Sequence, residues 1–225
     1  MNPAGAVCLV TGASTGIGRA TVLALEGRGA RVIALARDEE RLAGIGERQI
    51  VCDLAEPGAA TRAATEAGRV DVLVNNAGRG WAGPFVETPD LGGLVALNLV
   101  APIELVQALL PAMVDAGRGR VVNVASIAGF VGPPEEAVYA ATKAGLTAFS
   151  ESLRYELRGS GVGVTLVAPG VIATEFFERR GRPYDRVWPR PLPPERVARA
   201  IVQAVERDRD DVFVPAWMGA VARFG

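Results

Sequence analysis

The stretch AVYAATKAG, residues 137–145, sets Tyr139 and Lys143 four positions apart among small apolar residues. On a helix this spacing puts the phenol and the amine on one face, one turn apart. The same pair arises wherever a ring packs into a core and an amine reaches for water, so it does not define a site alone. The chain contains no histidine. That excludes Ser-His-Asp and Cys-His catalytic units and any His-ligated zinc. Proton chemistry is left to carboxylates, tyrosine, lysine and water, and no metal site is expected.

A second group of residues suits a phosphate. TGASTGIG, Thr11 to Gly18, follows the apolar run AVCLV directly and places glycines at 12, 16 and 18. A glycine-rich turn from a strand into a helix lets backbone N–H groups approach a pyrophosphate at the positive end of the helix. The spacing differs from G-x-G-x-x-G, and its position after the first strand is what gives it weight. In VIALARDEE, Ala36 occupies the place where an acid would hold a ribose 2′-hydroxyl, and Arg37 follows. A planar guanidinium suits a 2′-phosphate, so NADP(H) is favoured over NAD(H), with the Ser14 hydroxyl as a further contact. The competing reading of Arg37 is a solvated residue paired with Asp38.

The elements that must hold these groups read as an alternation. Strand candidates are 6–10, 31–36, 49–52, 71–75, 119–126, 163–169 and 211–215; helix candidates are 17–28, 57–67, 90–115, 137–158 and 195–207. The strands are mostly continuously apolar, as strands covered on both faces are. The pattern predicts an α/β fold: a Rossmann-type, doubly wound parallel sheet of about seven strands with helices on both faces, as one domain over 1–225. The irregular, proline- and arginine-rich stretch at 174–195 reads as an excursion from that sheet, with a substrate lid around 175–194.

Composition narrows the partners. Lys and Arg number 24 against 25 Asp and Glu, so no strong field attracts nucleic acid or an anionic membrane. Cys8 and Cys52 sit in apolar runs and read as core thiols of a reducing compartment. The N-terminus lacks the pattern of a secretory signal, and a cytoplasmic location is expected. The apolar run Leu94–Val114 carries Asn98, Pro102, Glu104 and Gln107, which suits a buried or interface helix bent near Pro102 better than a membrane span.

Taken in order, Thr11-Gly12-x-x-x-Gly16-x-Gly18, Asp53-Leu54, Asn75-Asn76-Ala77-Gly78, Asn98, Ser126, Tyr139-x-x-x-Lys143 and Pro169-Gly170, with Thr174 beyond, make the chain resemble the short-chain dehydrogenase/reductase family over nearly its whole length. The resemblance implies a catalytic tetrad of Asn98, Ser126, Tyr139 and Lys143. Tyr139 is the general acid/base for a carbonyl oxygen while hydride moves to or from the nicotinamide. Lys143 lowers the phenol's proton affinity and binds the nicotinamide ribose, Ser126 hydrogen-bonds the substrate oxygen, and Asn98 holds a water linking Lys143 to solvent. It also implies a cofactor-contact set of Gly12, Ser14, Thr15, Gly16, Ile17, Gly18, Arg37, Asp53, Leu54, Asn76, Ala77, Gly78, Pro169, Gly170, Val171, Ile172 and Thr174, together with Tyr139 and Lys143. Asp53 would meet the adenine edge, its alternative being a helix N-cap.

The substrate is expected to be a small to medium carbonyl compound or secondary alcohol. Trp81, Phe85, Phe130, Val131, Phe176, Phe177 and Trp188 would line an apolar pocket under the lid. Arg179, Arg180, Arg182, Arg186 and Arg190 would be solvated, with recognition of an acidic group the alternative. Two other readings stand beside the reductase: a dinucleotide-binding regulator without turnover, and a membrane-surface dehydrogenase using the tail that holds Trp217 and Phe224. A homodimer or homotetramer is expected through the long helices.

Overall fold

Seven short runs of apolar, often β-branched residues form the strands, and each connection back to the same edge supplies a helix. In the computed structural model, which describes residues 1–224, the order is β1 (Val7–Thr11), α1 (Gly16–Glu26), β2 (Arg31–Ala36), α2 (Glu39–Leu42), β3 (Arg48–Val51), α3 (Ala59–Ala67) and β4 (Val72–Asn75). There follow α4 (Leu91–Val95), α5 (Ala101–Asp115), β5 (Gly119–Val124), α6 (Ala137–Glu156) and β6 (Val162–Pro169). The chain closes with α7 (Phe176–Arg179), α8 (Pro194–Arg207), β7 (Asp211–Val214) and α9 (Met218–Phe224). Gly225 and the side chain of Phe224, invoked above for the tail, lie outside the described residues.

The sheet runs β3-β2-β1-β4-β5-β6-β7, every pairing parallel. Cys8 and Val10 of β1 point into one core with Val22 and Leu25 of α1 and Ile201 and Val205 of α8. Leu9 points the other way, among Leu73, Val121, Leu105, Leu109 and Leu153 beneath α3, α5 and α6. Two covered faces explain why the central strands carry continuous apolar runs rather than an alternation at every second position. The chain leaves β1 toward β3, then returns to lay β4 on the other side of β1. Strand order therefore reverses between β1 and β4, which opens a crevice at the carboxyl ends of these strands.

The run 91–115 is long and apolar enough, by length and composition, to cross a membrane. Here its inner face is core, with Ala101, Leu105, Val106, Leu109 and Met113 buried. A π-helical turn at Ala96–Val100 stands just ahead of Pro102, where a bend is expected. Strand β5 stops at Val124, short of the expected 126, because the Ser126 side chain accepts from Ala128 N (3.1 Å) and starts a short 3₁₀ turn. Asp38 is engaged by its own helix: it caps α2 through Arg41 N (3.0 Å) and pairs with the Arg41 side chain. Helices α2, α7 and α9 are additions to the elements read from sequence, each too short to carry a periodic pattern.

Candidate active site

The glycine turn and the NNAG segment are locked to each other at the switch point. The Thr11 hydroxyl accepts from Asn76 N and Ala77 N, 2.9 Å each, and Asn76 Nδ2 donates to Thr11 O at 2.9 Å. Gly12 has φ +64°, and a Cβ there would come within 2.9 Å of Ala77 Cα, so only glycine fits. A Cβ on Gly18 would run into the Gly12 carbonyl, so that glycine serves helix–strand packing. Behind them Asn75 Nδ2 donates to Asn123 Oδ1 (2.9 Å) and Asn123 Nδ2 to Ser150 Oγ (2.8 Å), tying β4, β5 and α6 together.

Above this floor lies a cleft of about 660 Å³. Of the cofactor contacts expected from sequence, only Gly18 and Val171 are not on its walls. Helix α1 has no side-chain cap and no acid in its first turn, so its leading N–H groups are available to an anion. At the other end Arg37 is 65% exposed, and the acid it meets is Asp53 (3.7 Å), not Asp38. Asp53 itself accepts from Ala55 N at 2.9 Å; helix α3 starts only after Gly58, which rules out Asp53 as its cap. The residues present fit a nicotinamide dinucleotide: N–H groups for the pyrophosphate, an acid–guanidinium pair at the adenosine end, and a phenol and amine at the far end. Sequence reading missed Arg41 and Glu175, which also line the cleft; Glu175 joins Arg41 (2.8 Å) and the lid residue Arg179 on its wall.

Of the four expected catalytic residues, Tyr139 and Lys143 of α6 line the cleft, whereas Ser126, in the turn after β5, and Asn98, in the π-helical turn, are buried and not among its lining residues. Lys143 Nζ is buried, donates to Val124 O (2.9 Å) and lies 5.9 Å from the Tyr139 ring centre. Asn98 is fully buried in the π turn. Its Oδ1 accepts from Arg79 N (3.0 Å), and its Nδ2 donates to Arg79 O (2.8 Å) and Thr142 Oγ1 (3.3 Å). Asn98 therefore clamps the backbone of the post-β4 loop. Asn98 Oδ1 and Lys143 Nζ both face Gly78, 3.2 and 3.5 Å from where a Cβ would stand.

Electrostatics correct one expectation. Burial pushes the Tyr139 phenol up to about 12; the Ser126 side chain opposes the rise, Glu136 adds to it and Arg180 opposes it. Burial pulls Lys143 down to about 8. The amine one turn away does not give an acidified phenol in this structure, because losing water penalises both charged forms.

The substrate side also departs from expectation. Phe176 and Phe177 line the cleft, and the Phe176 ring sits 5.3 Å from the Tyr139 ring. Trp81 and Phe85 line a separate cavity of about 160 Å³, Phe130 packs on Phe213, and Trp188 stacks on Trp217 in the open. The single apolar pocket drawn from composition is thus divided. Three of the five lid arginines are paired rather than simply solvated: Arg179 with Glu175, Arg180 with Glu136 and Arg182 with Glu135.

The family model for short chain dehydrogenase matches residues 6–185. The chain belongs to that family. It is 33% identical over 245 residues to dehydrogenase/reductase SDR family member 7B of Bos taurus, covering 96% of this chain and 75% of that protein. Among solved structures, a short-chain dehydrogenase from Sphingobium yanoikuyae in complex with NADPH superposes with TM-score 0.86 at 30% identity, covering 94% of this chain and 88% of the other. A short chain dehydrogenase/reductase from Burkholderia phymatum in complex with NAD gives 0.88 at 25% identity, covering 99% and 93%. The protein is accordingly an oxidoreductase of the nicotinamide-dependent type.

Proposed function

We propose that the protein is an NADPH-dependent carbonyl reductase, or the reverse alcohol dehydrogenase, acting on small to medium carbonyl compounds through Tyr139. The observation that carries this reading is the proximity of buried Tyr139, Lys143 and Ser126, with the first two on the wall of a cleft that Arg37 also lines. Bound in that cleft, the reduced nicotinamide supplies the hydride.

The protein's own residues do the rest. A phenol held near 12 is protonated throughout the neutral range, which suits a proton donor to a carbonyl oxygen that gains charge. Ser126, beside the phenol, hydrogen-bonds the same oxygen and stabilises the developing alkoxide. Lys143, anchored by the Val124 carbonyl, binds the ribose hydroxyls and holds positive charge behind the phenol. Asn98 fixes the Arg79 backbone that frames the cleft and lies beside Lys143, where it can position a water for reprotonation. Gly12, Ser14, Thr15, Gly16 and Ile17 receive the pyrophosphate, and Asp53 and Leu54 the adenine. Pro169, Gly170, Ile172 and Thr174 receive the nicotinamide. Arg37 takes the 2′-phosphate; its solvent exposure leaves it free to turn from Asp53 toward a doubly charged group.

Exposed apolar side chains along the long helices, Val100 in the π-helical turn ahead of α5, Val114 on α5 and Tyr155 on α6, support a homo-oligomer. The test of the function is NADPH consumption with a panel of aldehydes, ketones and keto esters. Turnover of at least one ketone, faster with NADPH than with NADH, is expected. Binding of NADPH without turnover of any carbonyl compound would leave a dinucleotide-binding module instead.

A further inference from the structure

We propose that Arg180 is a positioning residue: it latches the 175–194 segment over Tyr139 by inserting its guanidinium between Glu136 and the Phe177 ring. The proposal rests on the reading of Tyr139 as the acid/base.

Arg180 follows directly on α7 and is only 8% exposed, unlike most lid residues. Its Nη1 bonds Glu136, its Nε donates to Arg182 O (3.0 Å), and its Cζ lies 4.6 Å from the Phe177 ring centre. Phe177 meets Phe176 edge-on at 5.6 Å, and Phe176 covers Tyr139. The contacts form a chain from guanidinium to phenol. Gly80 makes room for its last link, since a Cβ there would lie 2.6 Å from Phe176 Cζ.

The anchor on the other side belongs to the helix that carries Tyr139. Glu136 immediately precedes α6 and makes no cap to it; its carboxylate goes to the lid instead. Glu135 holds φ +66°, an uncommon conformation for a side-chain-bearing residue, and its carboxylate takes Arg182. The loop 80–83 is stitched between the two, with Ala82 N donating to Arg180 O (3.1 Å) and Gly83 N to Glu135 O (3.0 Å). One acidic dipeptide thus receives two lid arginines. The buried member of the pair is the one with energetic weight, because breaking it strands a poorly hydrated charge.

The charged groups facing this unit are Glu136 ahead of α6, Lys143 one turn beyond Tyr139, Arg180 from the lid, and the flanking Glu135–Arg182 pair. Glu136 and Arg180 act on the phenol with opposite signs. Removing either partner therefore moves the phenol in a direction that general damage does not imitate.

The experiment has two readouts on the full chain. Hydrogen exchange of residues 175–194 is measured on the free protein for wild type, Arg180→Met, Arg180→Lys, Glu136→Gln and the Arg180→Met/Glu136→Gln double variant. The pH dependence of kcat/KM for ethyl 3-hydroxybutyrate is measured at saturating NADP⁺, where the positive charge of the oxidised nicotinamide favours the phenolate and brings its titration down from about 12. The account expects faster lid exchange in Arg180→Met and Glu136→Gln. It expects the kcat/KM midpoint to move up by about half a unit or more in Arg180→Met and down in Glu136→Gln, with the double variant near wild type. Arg180→Lys restores the midpoint through its charge and recovers lid protection only in part, lacking the planar fork. Unchanged lid exchange in Arg180→Met and Glu136→Gln, or midpoints that stay fixed or move together, would overturn the proposal. Tyr139→Phe separates this failure from the wider one. If that variant still turns over, the reading of Tyr139 falls; if it is inactive while the latch variants behave as wild type, only the latch falls.

Discussion

Lys143 Nζ stands 5.9 Å from the centre of the Tyr139 ring, with its hydrogen bond going to the Val124 carbonyl at 2.9 Å. Their shared burial pushes the two groups apart on the pH scale, the phenol up to about 12 and the amine down to about 8. A charge pair in water would behave differently, since each group would keep its hydration and feel only the other's field. Here desolvation outweighs that field. The result is a protonated donor beside an amine that is still mostly charged at neutral pH, a combination suited to reducing a carbonyl.

This arrangement has a stability signature. Between about pH 8 and the ordinary lysine range near ~10.4, the unfolded chain holds a proton on Lys143 that the folded protein has lost. Stability therefore gains from Lys143 as pH rises through that window, and the cost of burying the ammonium is fully present below it. Lys143→Met, close in shape and uncharged, is expected to be more stable than wild type at pH 7, on the order of 2–3 kcal/mol. The difference should shrink toward zero by about pH 10. Urea unfolding of both proteins across this range checks the trend, with Cys8 and Tyr139 common to both. A difference independent of pH would mean that the amine is not held down by burial.

Thr11 carries two backbone donors from the NNAG segment on one hydroxyl. Thr11→Val keeps the shape and removes the acceptor, leaving Asn76 N and Ala77 N without it. Each unsatisfied group costs roughly 1–3 kcal/mol when buried, and these are partly buried, so a loss of about 2 kcal/mol is expected. Because the same hydroxyl sets the glycine turn against the cleft floor, NADPH affinity should fall as well. Denaturant midpoints and a fluorescence titration read the two effects.

Arg37→Ala tests the adenosine end. A charge-assisted contact to a 2′-phosphate is worth roughly 1.5–3 kcal/mol, so NADPH affinity should fall about 10- to 100-fold with NADH affinity nearly unchanged. The ratio of dissociation constants is the measurement. An unchanged ratio would reassign Arg37 to its ion pair with Asp53.

Much of this was legible in the chain because the signals were local or periodic. The seven strands and five main helices follow from apolar runs and helical spacing, and the glycine turn, the NNAG segment and the Tyr139–Lys143 pair were readable as motifs. Contacts between segments remote in sequence were not. That Arg37 meets Asp53, that Glu175 links Arg41 to Arg179, and that Arg180 seeks Glu136 depend on where the fold brings a loop. The aromatic residues show the same limit. Composition assembled one pocket, whereas the backbone sent Phe130 to Phe213 and Trp188 to Trp217. The phenol's proton affinity was misjudged for a related reason: spacing reports how near an amine lies, and burial, which decides here, is a property of the folded chain.

The most direct test of the central claim is a single-turnover measurement with Tyr139→Phe, which keeps the ring against Phe176 and removes only the hydroxyl. NADPH affinity is measured alongside the rate of its oxidation by a ketone that wild type reduces. The account predicts cofactor binding within about two-fold of wild type and hydride transfer slowed by about 10²- to 10⁴-fold, the range for loss of a positioned general acid. Hydride transfer at the wild-type rate with NADPH still bound would contradict it.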